Sequence, residues 1–231
     1  MIISHKHRFI FLKTNKTAGT SVEIALSKLC GPEDIITPIT PSDEVLRKQC
    51  GGRAPQNYGT EMPRDNLIKA IKWLVKPMRR KKKFYNHIPA EKVKAYIGDE
   101  IWDSYYKFCI ERNPWDRVIS FYYWRYKMSP EVSISDAIHA DVLKPLKKKG
   151  WELYSLNGEP AVDRIIRFES LEDDFQSVLK ELGIEEKLEL PRAKAGYRKD
   201  KRHYREILSK EDADQIAEIF RNEIAHLGYE Y

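Results

Sequence analysis

The stretch "FLKTNKTAGTSVEIAL", residues 11–26, joins the end of an apolar run to small and hydroxyl-bearing residues and then to an amphipathic continuation. This pattern is typical of a buried strand, a tight loop and a helix. The single lysine of the loop, Lys16, precedes the glycine, Gly19. In the standard nucleotide-binding P-loop the lysine instead follows the glycines. The stretch therefore predicts a strand–loop–helix unit whose loop binds an anion in a different way.

The predicted loop offers several kinds of anion-binding group. The start of a helix presents free backbone N–H groups and the positive end of the helix dipole. Ala18 and Gly19 let an anion approach the backbone closely, and Lys16 adds a mobile positive charge. Three residues add hydroxyl groups: Thr17, Thr20 and Ser21. The alternative is an ordinary turn with a surface lysine; on the functional interpretation, a phosphate-type anion lies at the start of a helix that Thr20 or Ser21 caps.

A second stretch, "ERNPWDRVISFYYWRY" at residues 111–126, has the same strand–turn–helix pattern. Arg112 offers a planar fork that suits a phosphate, and Ser120 lies about two turns into the helix. The alternatives are a salt bridge between Arg112 and Asp116 and a helical hydroxyl satisfied locally at Ser120. Two such loops on one parallel sheet predict a ligand with two separated anionic groups at the carboxyl ends of the strands.

The remaining pattern predicts alternating strands and helices. Strands are expected at 8–13, 105–110 and 162–168. Helices are expected at 20–29, 65–75, 89–97 and 133–146. Three more helices are expected to begin at Pro114, at Ser170 with Asp173 as its capping partner, and at Ser209 with Asp212. Proline and glycine dominate residues 31–64, which are expected to form a long loop. We therefore predict an α/β, P-loop-like three-layer fold with a mainly parallel central sheet flanked by helices. Residues 1–231 are expected to form one domain, with a loop-rich, acceptor-side insertion at about 31–88.

Composition narrows the class of protein. Hydrophobic residues make up 42% of the 231 residues, which excludes a disordered chain. No apolar run reaches the roughly 20 residues that span a bilayer, and the first residues enter a strand without room for a signal peptide. We therefore expect a cytoplasmic protein. The net charge of +6 is clustered, which favours an anionic ligand, and the three cysteines form no metal-binding pair.

The two stretches together resemble the sulfotransferases that use 3′-phosphoadenosine-5′-phosphosulfate (PAPS). "NKTAGTS" and "RNPWDRVIS" are most similar to the branch with carbohydrate (heparan/chondroitin-type) 2-O-sulfotransferases and bacterial relatives. Asn15 departs from this pattern, because the family has proline there. "NHIPAEKV" at 86–93, "RFESL" at 167–171 and the C-terminal "YREILSKEDADQIAEIFRNEIAHLGYEY" extend the resemblance over nearly the whole chain.

This resemblance implies transfer of a sulfuryl group from PAPS to an acceptor hydroxyl, with 3′,5′-ADP as product and no metal. The acceptor is expected to be a glycan or glycolipid, and neither a nucleic acid nor a membrane span is expected. Lys16 would act at the bridging oxygen of the leaving phosphate. The expected donor-binding residues are Lys16, Thr17, Ala18, Gly19, Thr20 and Ser21 for the 5′-phosphosulfate, Arg112 and Ser120 for the 3′-phosphate, and Arg198 for the 3′-phosphate or adenine.

The acceptor hydroxyl needs a general base, and His87 is the first candidate because it lies in "NHIPAEKV". Glu23 is the reserve candidate, since some sulfotransferases use a glutamate after the first loop; the alternative is an exposed residue on the helix next to Val22. Two other functions stay open from the sequence. One is a nucleotide or sugar kinase, which would need ATP and Mg²⁺; the other is a non-enzymatic module that binds a polyanion through the basic clusters.

Overall fold

The structure is a computed structural model that describes residues 1–59, 83–126, 131–140, 143, 145–146, 150–193, 198 and 200–231. The strands are β1 (Ile2–Ser4), β2 (Phe9–Leu12), β3 (Ile35–Ile36), β4 (Tyr106–Glu111), β5 (Ser155–Leu156), β6 (Glu159–Pro160) and β7 (Arg164–Arg167). The helices are α1 (Gly19–Ser27), α2 (Pro41–Gln49), α3 (Ala90–Ile97), α4 (Asp99–Ser104), α5 (Pro114–Tyr126), α6 (Ile134–His139), α7 (Leu171–Glu181), α8 (Tyr204–Ile207), α9 (Lys210–Ile219) and α10 (Arg221–Leu227). The helix expected at 65–75 lies outside the described residues.

The central sheet has five strands in the order β3-β1-β2-β4-β7. β2, β4 and β7 run parallel, with Phe11 opposite Phe108 and Cys109 opposite Ile165. β1 is antiparallel to both β2 and β3. The expectation of a mainly parallel sheet was therefore wrong, and the sheet is mixed. The physical reason is the short link of residues 5–8 between β1 and β2, because so short a connection can only join antiparallel neighbours.

Side chains of β2 alternate between two hydrophobic clusters, one on each face of the sheet. Phe9 and Phe11 belong to the cluster that α1 and α7 cover. Ile10 and Leu12 belong to the cluster on the opposite face, which α3 and α4 cover. This alternation follows the two-residue period of a strand, and it confirms that helices flank an α/β sheet on both faces.

Several element boundaries differ from those expected. The region around 31–64 contains α2 and the short β3 in its described part, and is therefore not a single loop. α1 begins at Gly19 with Ala18 at the N-cap, so Thr20 and Ser21 do not cap it. The hydroxyl of Ser170 bonds Asp174 at 2.8 Å rather than capping through Asp173.

The final helix predicted from Ser209 is two helices. The capping box between Ser209 and Asp212 is present and begins α9 as expected. Phe220 then interrupts the helix and leads into α10, and its side chain is buried in the cluster between α5 and α9. The single-domain organisation of residues 1–231 stays a prediction.

Candidate functional site

The first loop, residues 13–18, follows β2 and has an unusual backbone. Lys16 and Ala18 both have left-handed conformations, with φ of 64° and 60°. Such conformations are uncommon for residues with a Cβ and concentrate at functional sites. Alternation of left- and right-handed residues turns successive N–H groups towards one concave side, which suits an anion. Ala18 leads directly into α1, so the helix start adds its own positive potential.

Hydroxyl contacts tie the first loop to the neighbouring strand. The Thr14 hydroxyl donates to the carbonyl of Ile110 in β4. The Thr17 hydroxyl therefore acts as the donor to Thr14, at 2.7 Å. Since Thr17 is fully buried, its side chain shapes the loop from inside and does not face a ligand.

Gly19 is required for the close approach of α1 to the loop. A Cβ at this position would lie 2.9 Å from Cγ of Lys13, closer than real carbon atoms approach. Lys13 is itself held in place, because its ammonium donates to Glu23 at 2.7 Å inside the protein. The glycine of the motif thus leaves room for a buried lysine behind the loop.

Glu23 is the centre of a buried charge cluster. Its carboxylate contacts the ammonium of Lys13 at 2.7 Å, the guanidinium of Arg47 at 3.2 Å and the amino group of Met1 at 3.1 Å. Burial alone would raise the pKa of Glu23, but Lys13 and the other cations outweigh it and lower the pKa to about 2. A carboxylate this acidic is a poor proton acceptor. Glu23 is also fully buried, contrary to the exposed position considered from the sequence.

The second loop follows β4 and brings Arg112 against the first loop. Arg112 donates from Nη1 to the carbonyl oxygen of Lys16 at 3.3 Å. One face of its guanidinium lies 4.0 Å from the ring centroid of Phe168, a cation–π contact. Its Nε donates to the Asp116 carboxylate at 2.7 Å. The salt bridge raised as an alternative is therefore present, and it coexists with the contact between the two loops.

Asn113 begins α5 and links the second loop to the C-terminal part of the chain. Its side-chain oxygen accepts from the N–H of Trp115 at 3.1 Å. Its own N–H donates to Glu169 at 2.7 Å, and the second oxygen of Glu169 accepts from the Tyr229 hydroxyl at 3.2 Å. Glu169 belongs to the "RFESL" stretch, so that stretch supports the second loop through its carboxylate.

Three further residues expected at the donor site are Ser21, Ser120 and Arg198. Arg198 forms an ion pair with Asp116 through Nη1, which places it beside Arg112. The N–H of Ala193 donates to the hydroxyl of Ser21 on α1 at 3.3 Å. Ser120 is half-buried on α5, one turn after Asp116 and on the same face of the helix.

His87 lies at the edge of the first loop. Its Nδ1 is 3.0 Å from the carbonyl oxygen of Lys13. A carbonyl can only accept a hydrogen bond, so Nδ1 carries the proton and Nε2 is the basic nitrogen of the neutral ring. His87 also has a left-handed backbone, with φ of 56°. The sequence separation of 74 positions shows that the fold, and not a local motif, brings the two residues together.

Lys16 extends towards α5 on the solvent side of the loop. Its ammonium lies 5.4 Å from the ring centroid of Trp124, which is 38% exposed. The structure therefore gathers Lys16, Arg112, Arg198 and His87 around the two loops. Sequence reasoning overlooked Trp124, although its place nearly three turns along the aromatic helix of the second motif was a usable signal.

A cleft of about 630 Å³ lies elsewhere, between β7 and α10. Its lining includes Arg164, which is paired with Asp174 at 3.5 Å. We place the functional site at the loops instead, because the strained backbone and the converging cations lie there. Within the described ranges, no group of three or more His, Cys, Asp or Glu side chains is arranged to hold a metal ion. None of the helices in the described part of the chain is long and apolar enough to cross a membrane.

Comparison with known proteins identifies the family. A family model described as "Sulfotransferase family" matches residues 1–155, which include both loops and His87. The chain belongs to the sulfotransferase family. This membership makes it a transferase of sulfuryl groups, and the kinase and polyanion-binding alternatives receive no support from the match.

One similar protein gives no further functional information. An uncharacterized protein from Archaeoglobus fulgidus is 30% identical over 106 residues, which cover 45% of this chain and 88% of that protein. No solved structure matches this sulfotransferase.

Proposed function

We propose that this sulfotransferase uses PAPS as its donor and a carbohydrate hydroxyl as its acceptor. The observation that supports PAPS as the donor is the contact between the two strand–loop–helix units. Arg112 of the second loop donates to the carbonyl of Lys16 in the first loop. A donor with a 5′-phosphosulfate and a 3′-phosphate needs two such sites side by side at the ends of parallel strands. The carbohydrate acceptor rests on the resemblance of the two motifs to the 2-O-sulfotransferase branch.

The residues present fit the two ends of this donor. The backbone from Thr17 to Thr20, at the start of α1, suits the 5′-phosphate, whereas the N–H of Ser21 already donates to the carbonyl of Ala18 at 2.9 Å. Arg112 and Arg198, near the start of α5, and Ser120, about two turns into that helix, supply charged and hydroxyl donors for the 3′-phosphate. Lys16 and the start of α1 on one side, and the two arginines with the start of α5 on the other, offset the negative charge that the donor brings into the site.

In the proposed reaction the acceptor oxygen forms a bond to sulfur while the bond from sulfur to the bridging phosphate oxygen breaks. The electron pair of the broken bond goes to that bridging oxygen, and Lys16 stabilises the charge that grows there. The proton of the acceptor hydroxyl goes to Nε2 of His87. Hydrogen bonding of Nδ1 to Lys13 holds the imidazole in the tautomer that this step requires.

Nucleotide binding tests the donor. We expect 3′,5′-ADP to raise the thermal midpoint of the protein, since a ligand at 100 times its Kd stabilises by about 2.7 kcal/mol. The nucleotide 5′-AMP, which lacks the 3′-phosphate, should stabilise less at the same concentration. Stabilisation by ATP with Mg²⁺, and none by 3′,5′-ADP, would contradict the proposal and favour a kinase.

A transfer assay tests the acceptor. Radiolabelled sulfate from PAPS is expected to appear on glycans in a screen that also contains small alcohols. Labelling of small alcohols alone would contradict the carbohydrate assignment and leave the donor assignment intact.

A further inference from the structure

Asp116 occupies a position at the second loop that the proposed reaction does not use directly. One oxygen of its carboxylate accepts from Nε of Arg112 at 2.7 Å and also from Nη2 of the same guanidinium. The other oxygen accepts from Nη1 of Arg198. A single carboxylate therefore joins two arginines that are 86 positions apart in the sequence.

We propose that Asp116 is a positioning residue that fixes Arg112 and Arg198 as one pair for recognition of the donor's 3′-phosphate. This inference rests on the proposed function. The class of ligand is a nucleotide with a phosphate on the 3′-hydroxyl, and the residue acts on it only through the two arginines.

The geometry around Arg112 supports orientation and not merely charge balance. Asp116 takes the edge formed by Nε and Nη2, and Phe168 covers one face of the guanidinium at 4.0 Å. These contacts leave Nη1 directed at the first loop, where it reaches the carbonyl of Lys16 at 3.3 Å. A long arginine side chain loses rotamer freedom when it is held in this way, so the entropy cost is met before a ligand arrives.

Arg198 is held in a comparable way. Its Nε donates to the carbonyl of Asp200 at 2.7 Å and its Nη2 donates to the carbonyl of Arg202 at 2.6 Å. Its Nη1 alone reaches across to α5, where Asp116 accepts it. The pair of arginines and the carboxylate carry one net positive charge, so Asp116 orients the cations without cancelling their attraction for a phosphate.

Asp116 is itself well fixed. It lies in the first turn of α5, where the helix dipole favours a carboxylate, and its N–H donates to the Asn113 side chain at 3.3 Å. Its side chain is 21% exposed, so a substitution there creates no fully buried unpaired group. Replacement by asparagine keeps the size and removes the charge that both arginines need.

The test measures binding of 3′,5′-ADP and 5′-AMP to D116N by calorimetry. We expect affinity for 3′,5′-ADP to fall about tenfold and affinity for 5′-AMP to change less than about twofold, because only the first ligand meets the arginine pair. The matched control is D174N, which also removes a partly exposed carboxylate, in this case from the salt bridge between Asp174 and Arg164. We expect D174N to keep the wild-type preference for 3′,5′-ADP.

Unchanged or tighter binding of 3′,5′-ADP by D116N would overturn the inference, since the carboxylate would then be neutral or a competitor of the phosphate. An equal loss of affinity for both nucleotides would also overturn it, because a general distortion of the site would explain that loss. If D116N does not fold, D116S is expected to show the same selective loss. Failure of the wild-type protein to bind either nucleotide would instead contradict the proposed function.

Discussion

Glu23 lies behind the first loop, five residues after Ala18, where its carboxylate is surrounded by cations. Its position in the sequence resembles that of a catalytic glutamate, yet its contacts are those of a structural ion pair. Burying a carboxylate is costly, and removing one partner of a buried pair typically destabilises a protein by about 3–5 kcal/mol. At this position the charge therefore serves the stability of the loop.

The substitution E23Q tests this assignment. We expect it to lower the free energy of unfolding by about 3–5 kcal/mol at pH 7, because Lys13 and Arg47 lose their common partner. The pKa of Glu23 is lowered to about 2 from 4.5, so its stabilisation is present above pH 4.5 and is lost as the pH falls towards 2. The difference between the two proteins, measured by urea unfolding, should therefore narrow over that interval.

The control for this experiment is E44Q. Glu44 pairs with the same Arg47 at 3.0 Å, but its side chain is 26% exposed. We expect a loss below about 1 kcal/mol, because Glu44 is partly exposed and Arg47 keeps its buried partner Glu23. A loss for E23Q as small as that for E44Q would show that the buried cluster is not what holds the loop.

The assignment of His87 as base gives a kinetic prediction. H87A should reduce kcat by about 10²–10⁴-fold and remove the rise of activity with pH that deprotonation of a base produces. Binding of 3′,5′-ADP should change little, since the role proposed for His87 concerns the acceptor hydroxyl and not the donor. The control is H226A, on the exposed side of α10. An unchanged pH profile in H87A would remove His87 from the mechanism.

At the scale of elements, the loop between β2 and α1 is the feature on which the site depends. G19A is expected to lower the free energy of unfolding by about 1–3 kcal/mol and to weaken the binding of 3′,5′-ADP. The reason is that the added Cβ would lie 2.9 Å from Cγ of Lys13. Denaturant unfolding and calorimetry measure the two effects. G31A is the matched control, since its nearest neighbours lie at 3.7 Å. Equal behaviour of the two variants would contradict the tight packing described here.

The elements that the sequence predicts best are those with apolar periodicity or a capping pattern. β2, β4, α5 and the start of α9 follow directly from such signals. α2 was missed because the face it buries carries Asp43 and Arg47 rather than an apolar stripe. The Glu23 cluster was not predicted for the same reason. A hydropathy pattern gives no sign that a charged residue is buried with partners distant in the sequence.

The candidate site shows the same division. Both strand–loop–helix units were predictable, because a helix start, a glycine and a cation are local features. The contacts of Arg112 with Lys16 and of Arg198 with Asp116 span 96 and 82 positions, so only the fold reveals them. Ala18 as N-cap was also missed, because a left-handed alanine has no sequence signature.

At the scale of the whole molecule, the C-terminal segment supports the second loop. Glu169 connects the N–H of Asn113 with the hydroxyl of Tyr229, and Trp115 lies 5.4 Å from the ring of Tyr231. The last residues of the chain therefore support the second loop from more than 110 positions away. Substitutions that remove the contacts of these C-terminal residues should therefore reduce the affinity for the nucleotide.

E169A tests this connection. We expect it to lower the thermal midpoint by several degrees and to reduce the affinity for 3′,5′-ADP severalfold, since two hydrogen bonds to a charged acceptor are lost. The control is E172A, in the exposed first turn of α7, which should change neither value. Intact nucleotide affinity in E169A would separate the C-terminal segment from the site.

The central claim is that Lys16 acts on the bond that breaks during transfer from PAPS. The most direct measurement is the rate of radiolabelled sulfuryl transfer to a glycan acceptor by K16A, with K28A on the exposed end of α1 as control. We predict a loss of at least about 10²-fold in kcat for K16A, wild-type activity for K28A and retained binding of 3′,5′-ADP by both. Transfer by K16A at the wild-type rate would contradict the account.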